Sequence, residues 1–333
     1  MHVLVIGGTL FIGRLLVTKL VAAGHTVTVL HRRPKHDLGR HVASVQADRN
    51  DEAAIRAALA GKRFDVVFDN VYDWEHGTTA AQVEAAVQAC GDHLTRYIFM
   101  SSVAAYGDGL NHHESDALAP EDYADAYARN KANSERLLFR MHSRSGLPVV
   151  TLRPPFIYGP GNPYYREAFF WDRLRDKRPL LVPGDGRRLM QFVHVSDLVW
   201  CALQAMDNKA AVGHAFNVAN LKPMAQTDVI EALAKAAMRS MPPLVRVPRE
   251  FLLRGGGHAM KRPFYFAEYF DLPPITQVIA KAQRVLQFKP IDFLEGLRET
   301  YKWWTRAHPF ERPDYGYEDE MMAKAPPYAG PVL

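Results

Sequence analysis

Cysteine is nearly absent from this chain. Cys90 and Cys201 are the only two in 333 residues, and both lie in apolar surroundings. A disulfide-stapled scaffold is therefore excluded, and the two are read as core thiols. No apolar run reaches the roughly 18 residues of a membrane span, so no transmembrane helix is expected. The first residues enter a strand pattern without a preceding basic segment or cleavage site. No signal peptide is expected, and the chain is assigned to the cytoplasm. The formal charge is +5 and the pI about 9.1, yet no dense basic run carries interleaved aromatics. Nucleic acid is therefore not an expected partner. His112-His113 lacks a third ligand at metal spacing, so no metal is expected.

What is present is an apolar fraction of 48%, enough for a full core in one large domain or two intimate ones. Buried-strand runs at 2–6, 26–31, 42–46, 65–69, 96–101 and 148–153 alternate with helical patterns near 13–24, 52–60, 78–91 and 124–145. Alternation of this kind predicts an α/β fold, a doubly wound parallel Rossmann sheet. After Gly159 the chain turns aromatic and irregular, and residues 305–333 read as surface coil rich in proline.

Two motifs carry chemistry. Tyr127 and Lys131 form Y-x-x-x-K, which places both side chains on one helical face. An ammonium beside a phenol favours the phenolate, giving a proton carrier usable near neutral pH. Ser102 closes the run Tyr97-Ile98-Phe99-Met100-Ser101-Ser102 and is placed to hold a substrate oxygen. Upstream, the strand 2–6 leads into Gly7-Gly8-Thr9-Leu10-Phe11-Ile12-Gly13 and then a helix. Strand, glycine turn and helix form the setting for dinucleotide pyrophosphate binding.

With these motifs the chain resembles the extended short-chain dehydrogenases/reductases, the group of NAD-dependent epimerases and dehydratases. Gly7, Gly8 and Gly13 match the glycine motif. Ser101-Ser102-Val103-Ala104-Ala105-Tyr106-Gly107 matches S-S-x-x-x-Y-G, and Arg153-Pro154-Pro155-Phe156-Ile157-Tyr158-Gly159-Pro160-Gly161 matches R-P-x-x-I-Y-G-P-G. Phe192-Val193-His194-Val195-Ser196-Asp197 matches F-V-H-V-x-D. The resemblance implies a small-molecule substrate and hydride transfer at a secondary alcohol or ketone, with Ser102, Tyr127 and Lys131 catalytic. It also implies a dinucleotide-binding domain over 1–160 with 191–221 returning to it. A smaller substrate lobe and tail take 161–190 and 222–333, and a homodimer is compatible with the family. Cofactor contacts are expected from residues 7–13, His31, Arg32, Arg33, Asp48, Asn70, Tyr127, Lys131 and Pro154. The tip of strand two lacks an acid and carries Arg32 and Arg33, which favours NADP over NAD.

Departures from the family narrow the reading. Leu10 stands where the middle glycine is usual, as in an atypical branch that includes the chloroplast stem-loop-binding proteins. Met190-Gln191 stands where sugar-nucleotide epimerases carry Arg-Asp, so the resemblance does not carry over the nucleotide-diphosphate clamp. Tyr106, Tyr158, Arg187, Arg188 and Met190 are candidate substrate contacts, with Arg262 a looser one. The aromatic run from Tyr164 to Trp171 reads as a wall for an apolar or planar ligand. The alternatives are a sugar-nucleotide epimerase that retains NAD, or a binding module for RNA without catalysis.

Overall fold

The structure is a computed structural model that describes residues 1–256, 273–307 and 309–328. It divides into two compact units. The first comprises Met1–Pro155, Val195–Ala219 and Gln277–Pro290. The second comprises Phe156–His194, Asn220–Thr276 and Ile291–Leu333. The segment Gln277–Pro290 thus falls in the first unit, where the sequence reading put it in the smaller lobe.

The first unit is a seven-stranded parallel sheet. Its strands are β1 (His2–Ile6), β2 (Thr26–His31), β3 (Val42–Gln46), β4 (Val66–Asp69), β5 (Arg96–Met100), β6 (Val149–Arg153) and β7 (His214–Asn217). Their spatial order is β7-β6-β5-β4-β1-β2-β3, the doubly wound sheet expected from the alternation. Central strands such as β4, β5 and β6 are buried at every residue, which is why they read as unbroken apolar runs. The crossover helices are α1 (Phe11–Ala22), α2 (Glu52–Leu59), α3 (Ala80–Cys90) and α4 (Ala126–Ser145). Their starts follow local chemistry. Asp51 caps α2 through the Ala54 N–H at 2.9 Å, Thr79 and Gln82 form a capping box on α3, and Asp125 caps α4 through the Ala128 N–H at 2.7 Å. α4 stops at Gly146, whose φ of 75° is the left-handed conformation glycine tolerates. Cys90 and Cys201 are buried free thiols.

The second unit has its own aromatic core. Phe169, Phe170 and Trp171, on the helix Glu167–Arg175, are fully buried, and the Trp171 ring lies 5.6 Å from that of Trp304. This corrects the expectation of an aromatic ligand wall over 164–171: the rings fill a core. The C-terminal region also differs from the expected coil. Gly316–Ala323 is a helix whose Glu318 is buried against Arg173, with Arg173 Nε 2.9 Å and 3.1 Å from the two carboxylate oxygens. Among the described residues no helix is long and apolar enough to cross a membrane.

The Arg173–Glu318 pair yields a stability test. Glu318→Ala strands a guanidinium in an apolar core and should cost about 3 kcal/mol in urea unfolding, whereas Arg173→Met combined with Glu318→Leu should recover most of that loss. A single-variant loss below about 1 kcal/mol would show that the pair does not hold the C-terminal helix in place.

Candidate active site

At the end of β1 the chain turns through Gly7, with a φ of 84°. A Cβ on Gly13 would sit 1.9 Å from the Gly7 carbonyl oxygen, and one on Gly8 would sit 2.5 Å from Val29 Cγ1. Glycine at these points lets α1 start hard against the strand end, so its first N–H groups and positive dipole end face the turn. Thr9 is half-buried at this turn, as is Ile12 in the first turn of α1. Leu10 explains why the middle glycine is dispensable: its φ of −136° and ψ of 146° are extended backbone open to any residue, and its side chain is 57% exposed. The departure is paid at Phe11, whose φ of 42° is left-handed. A Cβ on Gly7 would also meet Val71 Cγ2 at 2.3 Å, which brings the loop after β4 against the turn. Beside Val71, both amide atoms of Asn70 are buried without a hydrogen-bond partner among the described residues. A tight glycine cradle with an orphaned amide beside it fits a dinucleotide.

The catalytic candidates sit on α4 and at the end of β5. Tyr127, Lys131 and Glu135 recur every four residues along one face of α4. Lys131 donates to the Met100 carbonyl at 2.6 Å, and Ser101 Oγ donates to Glu135. Glu135 also accepts from Thr151 at 3.0 Å and forms a bidentate pair with Arg153, with Nη2 at 2.7 Å. These bonds fasten α4 to the strand end that carries Ser102. Ser102 begins a short 3₁₀ turn, Val103–Tyr106, and its Oγ accepts the Ala104 N–H at 3.2 Å. The Pro154 carbonyl accepts the Val103 N–H at 3.0 Å, which ties this turn to β6. Burial pushes Lys131 down to about 8, with Asp69 opposing the shift.

Sequence reasoning missed the aromatic cluster around Tyr127. The Tyr127 ring stacks on Trp74 at 4.7 Å and meets Tyr72 edge-on at 4.7 Å. Asn130 donates to the Tyr72 hydroxyl at 3.2 Å. Trp74 is 59% exposed. The signal was the unusual segment Asn70-Val71-Tyr72-Asp73 after β4.

Other candidates fall elsewhere. Arg32 Nη1 lies 3.3 Å from Asp73 and 3.9 Å from Asp48, so both acids already draw on this cation. Arg33 is exposed, with no ion pair among the described residues. His31 is buried with Nε2 2.8 Å from Ser44 Oγ, while its Nδ1 is buried without a hydrogen-bond partner among the described residues. Tyr106 is also buried: its hydroxyl donates toward Asn217 Oδ1 at 2.8 Å and accepts from Arg153 at 2.6 Å. Burial lifts it to about 12, and the ring braces the loop instead of offering a polar group to substrate. In the second unit Met190 belongs to the hydrophobic core, with Met224 as its cross-strand partner. Tyr158 is buried there against Phe293. Both are buried in the apolar cluster of that unit. Gln191 donates to the Asn220 carbonyl at 2.9 Å. Arg187 is exposed and Arg188 half-buried. Arg262 lies outside the described residues. Among the described residues no group of His, Cys, Asp or Glu is arranged to hold a metal.

Residues 3–219 match the model of the NAD dependent epimerase/dehydratase family. The chain belongs to that family. Its members are NAD-dependent enzymes of the short-chain dehydrogenase/reductase superfamily, as the motifs implied. A similar curated protein is the chloroplast stem-loop binding protein of 41 kDa b from Arabidopsis thaliana, 30% identical over 97% of this chain and 84% of that protein. Another is the 2-alkyl-3-oxoalkanoate reductase of Stenotrophomonas maltophilia, 28% identical over 71% of this chain and 76% of the reductase. Among solved structures, UDP-glucose 4-epimerase from Thermotoga maritima with UDP-glucose superposes with a TM-score of 0.72 at 20% identity, covering 92% of this chain and 100% of the epimerase. UDP-glucuronic acid 4-epimerase from Bacillus cereus, in complex with UDP-glucuronic acid and NAD, gives 0.71 at 21% identity, covering 92% and 99%. These structures share the fold of the family.

The buried ammonium of Lys131 has a measurable signature. Its pKa in the fold, about 8 against an ordinary 10.5, means that its charge opposes folding most strongly below pH 8. The penalty shrinks as pH rises and vanishes above the unfolded value. Relative to Lys131→Met, the parent should therefore gain about 2 kcal/mol of unfolding free energy between pH 7 and pH 9.5. A pH-independent difference between the two proteins would show that Lys131 is not desolvated.

Proposed function

We propose that the chain is an NAD(P)-dependent oxidoreductase acting at a secondary alcohol or ketone carbon, with Ser102, Tyr127 and Lys131 as its catalytic residues. The observation that carries this reading is the Tyr127–Lys131–Glu135 ridge fastened to the strand end beside Ser102. A nicotinamide dinucleotide bound at the glycine turn supplies the hydride acceptor or donor. Residues 7–13 and Asn70 hold it, and the Lys131 cation is available to its nicotinamide ribose. Tyr127 moves a proton to or from the substrate oxygen, and the nearby Lys131 charge favours its phenolate. Ser102 already accepts the Ala104 N–H, so its own proton is left to donate to that oxygen. Val103-Ala104 after the serine offer no acid–base pair, which argues against dehydration.

The substrate is not gripped through a nucleotide diphosphate at the Met190 position, because that side chain belongs to a core and carries no charge. The name of the oxoalkanoate reductase supports a 3-oxo acid or related ketone as the first class to try. The name of the chloroplast relative keeps RNA as a second reading, since its identity extends over 97% of the chain.

Tyr127→Phe is the direct test. Oxidation of NADPH and NADH is followed with 3-oxoalkanoates and aromatic ketones, and the variant should lose roughly 10²–10⁴ in rate. Its cofactor affinity should stay within about threefold of the parent. Activity within about tenfold of the parent would remove Tyr127 from its role. Retention of structured RNA on filters, with no turnover by either protein, would instead favour the binding reading.

Cofactor preference is tested separately. Arg32 and Arg33 favour NADP through charge-assisted bonds to a 2′-phosphate, and Asp73 competes for Arg32. Replacing both arginines with alanine should weaken NADPH binding by about 2 kcal/mol and leave NADH nearly unchanged. Equal losses for both nucleotides would show that the tip of β2 does not read the phosphate.

A further inference from the structure

The first unit contains a cavity of about 330 Å³ lined by His113, Glu114, Ser115, Val278, Lys281 and Arg284. None of these belongs to the glycine turn or to the Ser102–Tyr127–Lys131 set. Its size is in the range of small-ligand sites. The walls are braced from behind. The His113 carbonyl lies 3.1 Å from the Tyr106 hydroxyl, whose proton goes to the closer Asn217, and the Val278 N–H reaches the His112 carbonyl at 2.9 Å.

Neither Lys281 nor Arg284 forms an ion pair among the described residues. Lys281 is half-buried, its ammonium 5.1 Å from the Phe216 ring centroid. Burial lowers its pKa, Glu114 opposes that, and Arg153 and Arg284 add to it. Arg153 is itself matched by Glu135. Glu114 is the single carboxylate among the lining residues, and its Oε1 already accepts the Asn217 N–H at 3.0 Å. Two cations, a half-buried Lys281 and an exposed Arg284, therefore line the cavity with one partly engaged carboxylate. A ligand that satisfies this lining brings an oxyanion to the cations and hydroxyl donors to the free oxygen of Glu114. Ser115 adds a hydroxyl that can donate or accept.

We propose that this cavity binds a small phosphorylated polyol, its phosphate held by Lys281 and Arg284 and its hydroxyl groups by Glu114 and Ser115. The site is separate from the dinucleotide turn, so the test uses protein saturated with NADH at fixed ionic strength. Calorimetry with glucose 6-phosphate should show one saturable site, with inorganic phosphate about tenfold weaker or more and glucose silent. Lys281→Gln combined with Arg284→Gln should weaken glucose 6-phosphate at least about tenfold while NADH affinity, which reports the fold, stays at the parent value. Glu114→Gln keeps an acceptor for Asn217 and should narrow the gap between glucose 6-phosphate and inorganic phosphate. Glucose 6-phosphate binding unchanged in the double variant, or no saturable binding of either phosphate by the parent, would overturn the site. Equal affinity for the two phosphates would overturn the polyol assignment.

Discussion

The structure around the candidate active site depends on one buried ion pair, Arg153 with Glu135. Arg153 reaches both carboxylate oxygens, with Nε at 2.9 Å and 3.1 Å and Nη2 at 2.7 Å. Burial works against the guanidinium charge, but Glu135 more than offsets it, and the pKa of Arg153 stays above its ordinary value. Such a pair is costly to desolvate and survives only when its remaining donors and acceptors are met. Here they are. Ser101 and Thr151 complete Glu135, while the Tyr106 hydroxyl and the Glu114 carbonyl take the other side of Arg153. The pair thereby sets the depth of α4 against β5 and β6. Lys131 lies one helical turn before Glu135 and Tyr127 one turn before that, so their placement is inherited from it.

Fixing α4 in this way has a cost at Lys131. Its ammonium is drawn into an apolar slot, facing the rings of Phe99 at 4.9 Å and Tyr72 at 5.4 Å. The Met100 carbonyl and those π faces replace part of the lost water, but no carboxylate touches it among the described residues. Asp69, the nearest stabilising charge by effect, is already shared by Arg49 and the Tyr97 hydroxyl. A cation held this way has a proton that is easier to remove than an exposed lysine's. Its electrostatic influence on a neighbouring phenol is also stronger than it would be in water.

The parts of this picture that were legible in the sequence share a property: local spacing encodes them. The glycines at 7, 8 and 13, the four-residue step from Tyr127 to Lys131, and the unbroken strand runs each follow from backbone geometry within a few residues. Glu135 obeys the same four-residue step and was open to the same argument. What could not be read depends on partners distant in sequence. Arg32 looks free beside Arg33, yet its carboxylate, Asp73, lies 41 residues on. Met190, Tyr158 and the rings at 169–171 have the composition of a ligand pocket, and composition does not distinguish a pocket from a core. The helix Gly316–Ala323 was hidden by flanking prolines, and its anchor, Arg173, lies 145 residues before Glu318.

Leu10 and Phe11 show how a family motif can change without losing its fold. The steric requirement lies at Gly13, where any side chain would strike the Gly7 carbonyl. The middle position imposes no such limit here, since its backbone is extended. The turn must still reverse direction before α1, and that demand moves to Phe11, a residue that pays on the order of 1 kcal/mol to adopt left-handed backbone. Strain of this size persists only where packing over-determines the loop. The close contacts of Gly7 with Val71, and of Gly8 with Val29 and Val17, supply that packing. The contact of Gly7 with Val71 also brings the start of the loop after β4, which goes on to Asp73 and Trp74, against the turn. The loop that packs the strained turn therefore also carries the orphaned amide, the acid that holds Arg32, and the ring that stacks on Tyr127.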